Sequence, residues 1–211
     1  MTYTGTGTAS TVGHGLDFAP TFIMVFSRDV ANSTVVGSTA INGWSHYISL
    51  SNSGFSVSDS SIWNNTAPTT EVFSVGTADN TNKSTNTFVA YCFHDIEGYS
   101  KFNKFTGGGS FFPYIHLGFR PAYVMIKRSS ASGGWTVFDD TRNTSNSTDL
   151  YLGWDGSFEQ KDGSTLSPAI NIDFTSNGFK VRSTENVVNS SGGTFLYFAF
   201  ARQPFKFSNA R

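Results

Sequence analysis

Two carboxylates, Asp95 and Glu97, stand two residues apart just after the apolar run Phe88-Val89-Ala90-Tyr91-Cys92-Phe93. In an extended chain, residues i and i+2 project from the same face. Retaining glycosidases work with two carboxyl groups about 5–5.5 Å apart, and β-sandwiches of this size include glucanases and lectins. Glycan hydrolysis is therefore the first chemistry to weigh. The further acidic residue of a glucanase strand is missing, because Tyr99, Lys101 and Phe102 follow, and the matching stretch near the C-terminus carries Arg202 and Pro204. The pair reads as solvated side chains at a strand end. Asp139-Asp140 and the group Asp155, Glu159 and Asp162 offer oxygens to calcium, which takes about six to eight. The second group lacks the alternating ligands of a calcium loop and reads as a turn with polar edges. His14, His46, His94 and His116 show no zinc spacing and are expected as hydrogen-bonded structural residues. The single cysteine, Cys92, reads as a small buried hydrophobe. No nucleophile elbow, Walker loop or dinucleotide fingerprint occurs, and Thr106-Gly107-Gly108-Gly109-Ser110 lacks the βαβ context of a phosphate cradle. The expectation is a protein without catalytic residues, metal or cofactor.

Aromatic residues are the remaining candidates. Trp63 lies in Ile62-Trp63-Asn64-Asn65 and Trp154 in Gly153-Trp154-Asp155-Gly156, with Tyr151 close by. Rings flanked by amides and carboxylates can stack on sugars, fill a protein contact or pack into a core. All three uses stay open, and Trp63, Trp154 and Tyr151 are the candidate glycan or partner contacts. Trp44 and Trp135, after Asn-Gly and Gly-Gly, are expected at matching places with a shared core or edge role. Six Asn-x-Ser/Thr triplets, Asn32, Asn64 and Asn146 among them, are what this composition produces by chance.

The elements that must carry these residues are strands. Helical periodicity is nearly absent. Short runs of β-branched and aromatic residues alternate with Gly, Asn, Ser and Asp clusters about every 8–15 residues. The 21 Phe and 21 Gly fit sheet faces and turns. Predicted strands are 21–26, 47–50, 55–57, 72–75, 88–93, 122–127, 136–138, 179–181 and 195–200.

An internal repeat organises them. Leu16-Asp17-Phe18-Ala19-Pro20-Thr21-Phe22-Ile23-Met24-Val25 recurs as Leu117-Gly118-Phe119-Arg120-Pro121-Ala122-Tyr123-Val124-Met125-Ile126. Tyr3-Thr4-Gly5 is echoed by Phe105-Thr106-Gly107, Phe73-Ser74-Val75 by Phe179-Lys180-Val181, and the run 87–93 by 194–200. Four blocks in one order predict two tandem, closely packed, jelly-roll-like antiparallel β-sandwich units, residues 1–100 and 101–211. The short junction near 97–104 has no linker composition.

Charged residues are 14% of the chain, against a typical value of about 25%, and the net charge is −1. A nucleic-acid binder needs a basic footprint that is absent here. No run approaches the roughly 20 apolar residues of a membrane span, and the N-terminus lacks signal-peptide features. Assembly in a cytoplasm, with release by lysis, fits that start.

The segments 63–69, 72–76, 91–102 (Tyr-Cys-Phe-His-Asp-Ile-Glu-Gly-Tyr-Ser-Lys-Phe), 118–128 and 205–211 together resemble an uncharacterised repeated β-domain of virion-associated proteins in tailed phages of marine bacteria, cyanobacteria among them. The resemblance implies a location on the virion and assigns no catalytic residue. A chain that begins and ends with the domain fits a capsid decoration (cement) protein or a small tail-associated module. Its expected partners are other capsid or tail proteins and copies of itself, trimers being the habit of such proteins. The alternative is an adhesin at a fibre tip that binds a host surface glycan through Trp63, Trp154 and Tyr151.

Overall fold

A computed structural model describes residues 1–31, 34–155 and 159–203. The chain is all-β and divides into two compact units, Met1–His94 and Asp95–Arg211. In the first unit, β1 (Thr2–Thr4), β2 (Ser10–Gly13), β3 (Phe22–Ser27), β4 (Val35–Ser38), β5 (His46–Ser49) and β6 (Val57–Ser58) lead to a one-turn helix α1 (Ser60–Trp63). Then come β7 (Val72–Val75), a second single turn α2 (Asp79–Asn82) and β8 (Thr87–Phe93). One sheet has the order β1-β8-β3-β4-β5-β6, and β2 pairs with β7 in a second.

The second unit runs β9 (Ser100–Thr106), β10 (Tyr114–His116), β11 (Pro121–Arg128), β12 (Trp135–Asp139), β13 (Leu150–Gly153) and β14 (Lys161–Asp162). A 3-10 turn (Gly163–Thr165), β15 (Ile172–Thr175), β16 (Gly178–Val181), α3 (Asn186–Asn189) and β17 (Thr194–Ala201) follow. Its large sheet, β9-β17-β11-β12-β13-β14, repeats the first unit's large sheet strand for strand. Its small sheet, β10-β16-β15, repeats β2-β7 and adds one strand. Every ladder in both units is antiparallel. Each unit is thus a β-sandwich, and the two arose by duplication.

Sandwich cores form where the inward residues of the two sheets meet. In the first unit Ile23, Val25, Val35, Phe88 and Ala90 of the large sheet meet Phe73 and Val75 of the small one. In the second, Val124, Ile126, Phe195 and Tyr197 meet Ile115, Ile172, Phe174 and Phe179. The ring packing is duplicated as well. Tyr3 stacks on Phe88 with centroids 5.2 Å apart and meets Phe73 edge-on at 6.1 Å. Phe105 stacks on Phe195 at 5.2 Å and meets Phe179 edge-on at 6.3 Å.

A buried asparagine closes each unit. The Asn82 side-chain amide donates to the Thr8 and Gly76 carbonyls, and its oxygen accepts the Thr6 N–H. Asn189 donates to Gly109, Phe111 and Ser183 and accepts from Gly108. The adjoining glycines allow this approach: a Cβ on Gly5 would lie 2.2 Å from the Lys83 carbonyl oxygen, and one on Gly107 the same distance from that of Ser190. The glycine-rich stretch 106–110 is therefore a packing requirement.

Three sequence expectations change. Residues 97–104, read as a junction, enter β9 at Ser100. Strand 55–57 shrinks to Val57–Ser58, and Phe55 is half exposed. Trp44 and Trp135 are not counterparts. Trp135 opens β12 opposite Lys127, a place that belongs to Thr34 in the first unit by the Val25–Val35 register. Trp44 sits in the turn between β4 and β5.

Candidate functional site

The three aromatic candidates separate. Trp63 is fully buried, edge-on to Trp44 at 5.5 Å and to Phe73 at 6.4 Å. It is no stacking platform. The polar Asn64-Asn65 that follow are turn residues with φ of 52° and 49°, so they describe the turn and not the ring's surroundings. Room for Trp63 comes from Gly37, where a Cβ would lie 2.6 Å from Trp44 Cζ3 and 2.7 Å from Trp63 Cε2. The second unit fills the same space with Phe138, which pairs with Val124 as Gly37 pairs with Ile23. Tyr151 is also buried, 6.1 Å from the Phe138 ring, and burial raises its phenol pKa. The small part of it left uncovered lies at a surface hollow lined also by Trp135, Gly153, Asp155 and Lys161. Trp154 is half exposed, just past β13, with its N–H on the Trp135 carbonyl.

Four of the carboxylates singled out for chemistry, Asp95, Asp139, Asp155 and Asp162, hold backbone. Asp95 lies beyond the end of β8, and its Oδ1 accepts the Phe102 N–H at 2.9 Å, so the face argument for Asp95 and Glu97 does not apply. Asp139 accepts the Thr141 and Arg142 N–H groups and pairs with the Arg142 guanidinium. Asp140 pairs with Arg202 at 3.2 Å. Asp162 caps the 3-10 turn through Ser164, as Asp59 caps α1 through Ser61. Among the described residues no group of three His, Cys, Asp or Glu side chains could hold a metal. Gly156–Phe158, within the calcium candidate, lies outside the described residues, as do Asn32 and the segment 205–211. His14 contacts the Thr69 carbonyl at 3.1 Å and accepts the Leu16 N–H, and His46 bonds Ser45. Cys92 is half-buried against the first core, and burial pushes its thiol up to about 11.

Sequence reasoning missed the outer face of the small sheet in the second unit. Alternation along β10, β15 and β16 sends Ile115, Ile172, Phe174, Phe179 and Val181 inward. Tyr114, Lys180 and Asp173 lie side by side outside, with His116 and Thr175 flanking Gly178 in the next row. Phe111 and Phe112 lead into this face, 79% and 40% exposed, and Tyr114 is 46% exposed. The polar groups are held in place. The Tyr114 hydroxyl donates to Asn177 Oδ1, and Arg182 stands over the Phe112 ring at 5.8 Å while pairing with Asp173 at 3.5 Å.

The other copy has none of this. The Asn82 amide that bonds Thr8 matches the Asn189 amide that bonds Phe111, so Phe111, Phe112 and Tyr114 stand where the first unit has Thr8, Ala9 and Thr11. Lys180, opposite Tyr114, corresponds to Ser74, opposite Thr11. The signal was present in the repeat: aligning the copies on Gly5/Gly107 and Val12/Ile115 exposes the substitution of aromatics for Thr and Ala.

No helix among the described residues is long and apolar enough to cross a membrane. No curated protein and no solved structure matches the chain. A family described as "Domain of unknown function (DUF7483)" matches residues 1–204. That match spans both sandwich units, and the chain belongs to the DUF7483 family.

Proposed function

We propose that this chain is a non-enzymatic structural protein of the surface of a tailed-phage particle, a capsid decoration component or a tail-associated module present in several copies. The observation that carries the non-enzymatic reading is the use of its carboxylates. Asp29, Asp59, Asp95, Asp139, Asp155 and Asp162 each accept a backbone N–H. Each of these carboxylates spends acceptor capacity on fixing a turn or a strand end, which supports a structural use. The duplicated cores support the structural part, since what the two copies share is scaffold. The virion location rests on the sequence resemblance.

A second reading, an adhesin that binds a host surface glycan, is favoured by the aromatic and polar face of the second unit. Cryo-electron microscopy of particles of the encoding phage tests the location. A regular array over the head is the expected result for decoration, and a few copies at the tail end for the tail-associated form. Absence from purified particles overturns the proposal.

A further inference from the structure

The exposed face of β10, β16 and β15 is an addition to a scaffold that folds without it. The first unit builds the same sandwich with two small-sheet strands and with Thr8, Ala9, Thr11 and Ser74 at the corresponding places. Three exposed aromatic rings in one copy alone are not required by the fold, and such patches mark interaction surfaces. Their setting separates possible occupants. Lys180 lies in the row between Tyr114 and Asp173, and Arg182 is 45% exposed at its ion pair. A dry protein contact would have to strip water from these charges, which is costly unless each is fully paired. A hydrated, hydroxyl-rich chain leaves them wet. Aromatic faces take the C–H face of a sugar ring, while the neighbouring amide, hydroxyl and guanidinium groups bond its hydroxyls.

Charge selects further. On this face Lys180 and Arg182 stand against the single carboxylate of Asp173. We propose that the outer face of the three-stranded sheet binds an acidic polysaccharide of the uronate type, with Phe112 and Tyr114 as stacking rings and Lys180 and Arg182 on the carboxylates. The inference deepens the glycan reading above and rests on it. The particle's copy number tests the location separately, so either can fail alone.

The test uses the full chain and three uronate polymers, alginate, polygalacturonate and hyaluronate, with neutral dextran as the control, in affinity gel electrophoresis and titration calorimetry. The expected result is retardation by at least one uronate polymer and not by dextran, weakened by high salt as an exposed charge contact should be. Tyr114→Ala and Lys180→Glu should each weaken binding about tenfold or more, and Thr11→Ala, the matching change in the first unit, should leave it unchanged. All three positions are at the surface, and an unchanged melting temperature identifies variants that remain folded. No retardation by any uronate polymer, equal retention on dextran, or indifference to both Tyr114→Ala and Lys180→Glu in folded protein overturns the proposal.

Discussion

Where the first unit places Phe26, the second places Lys127, a buried ammonium on β11. It donates to the Gly133 carbonyl and lies 5.4 Å from the Trp135 ring centroid. Burial brings its pKa down to about 8, against a smaller upward pull from Asp155. A lysine with a depressed folded-state pKa carries a penalty that is complete below pH 8. The penalty disappears as pH rises through 8 toward the unfolded value of 10.5, because the unfolded chain then binds more protons. Cys92, raised to about 11, and Tyr123 and Tyr197, raised to about 12, drift the other way at alkaline pH. The comparison with Lys127→Met cancels their contribution. Relative to that variant, the native chain should gain on the order of 1–3 kcal/mol between pH 8 and pH 10.5, read from urea midpoints across the range. A flat difference would show that Lys127 titrates as an exposed lysine does.

At the scale of elements, each unit depends on an asparagine that joins the loop after its first strand to the end of a one-turn helix. Asn189→Ala removes a buried acceptor and donor and leaves Gly108 N–H and three carbonyls short of a partner. At about 1–3 kcal/mol for each group left unsatisfied, the loss should reach at least about 3 kcal/mol, with Asn82→Ala costing a similar amount; thermal and denaturant unfolding measure both. The elements legible in the sequence were those with apolar runs or strict alternation, such as Val72–Val75, which is a strand over that span. β9 was hidden because its rings, Phe102 and Phe105, fall three residues apart among Lys and Asn. β4 was hidden by Gly37, whose missing side chain is filled by tryptophans from elsewhere in the chain. The same long-range exchange misled the reading of Trp63, since local polarity says nothing of a cavity 26 positions away. Of the candidate site, only Trp154 remained at the surface. The aromatic face escaped because its meaning lies in the difference between copies, whereas the repeat was read for what the copies share.

The whole molecule shows what duplication permits. Two cores keep the same ring contacts and the same closing asparagine, while one unit gained a strand, an aromatic face and most of the chain's charge. The two copies share the scaffold and differ on their surfaces. Both closing residues also head triplets that oligosaccharyltransferase reads, Asn82-Lys83-Ser84 and Asn189-Ser190-Ser191. That enzyme acts on nascent chains before they fold, and a glycan on either amide nitrogen would occupy the place of the buried hydrogen bonds. Routed through a eukaryotic secretory pathway, the chain should therefore be retained as misfolded glycoprotein. Ser84→Ala together with Ser191→Ala, which keep both asparagines, should raise the secreted yield while the other four triplets stay open to glycosylation, as gel mobility and yield would report. The duplicated closing asparagine thus carries, twice over, an incompatibility with passage through a glycosylating secretory route.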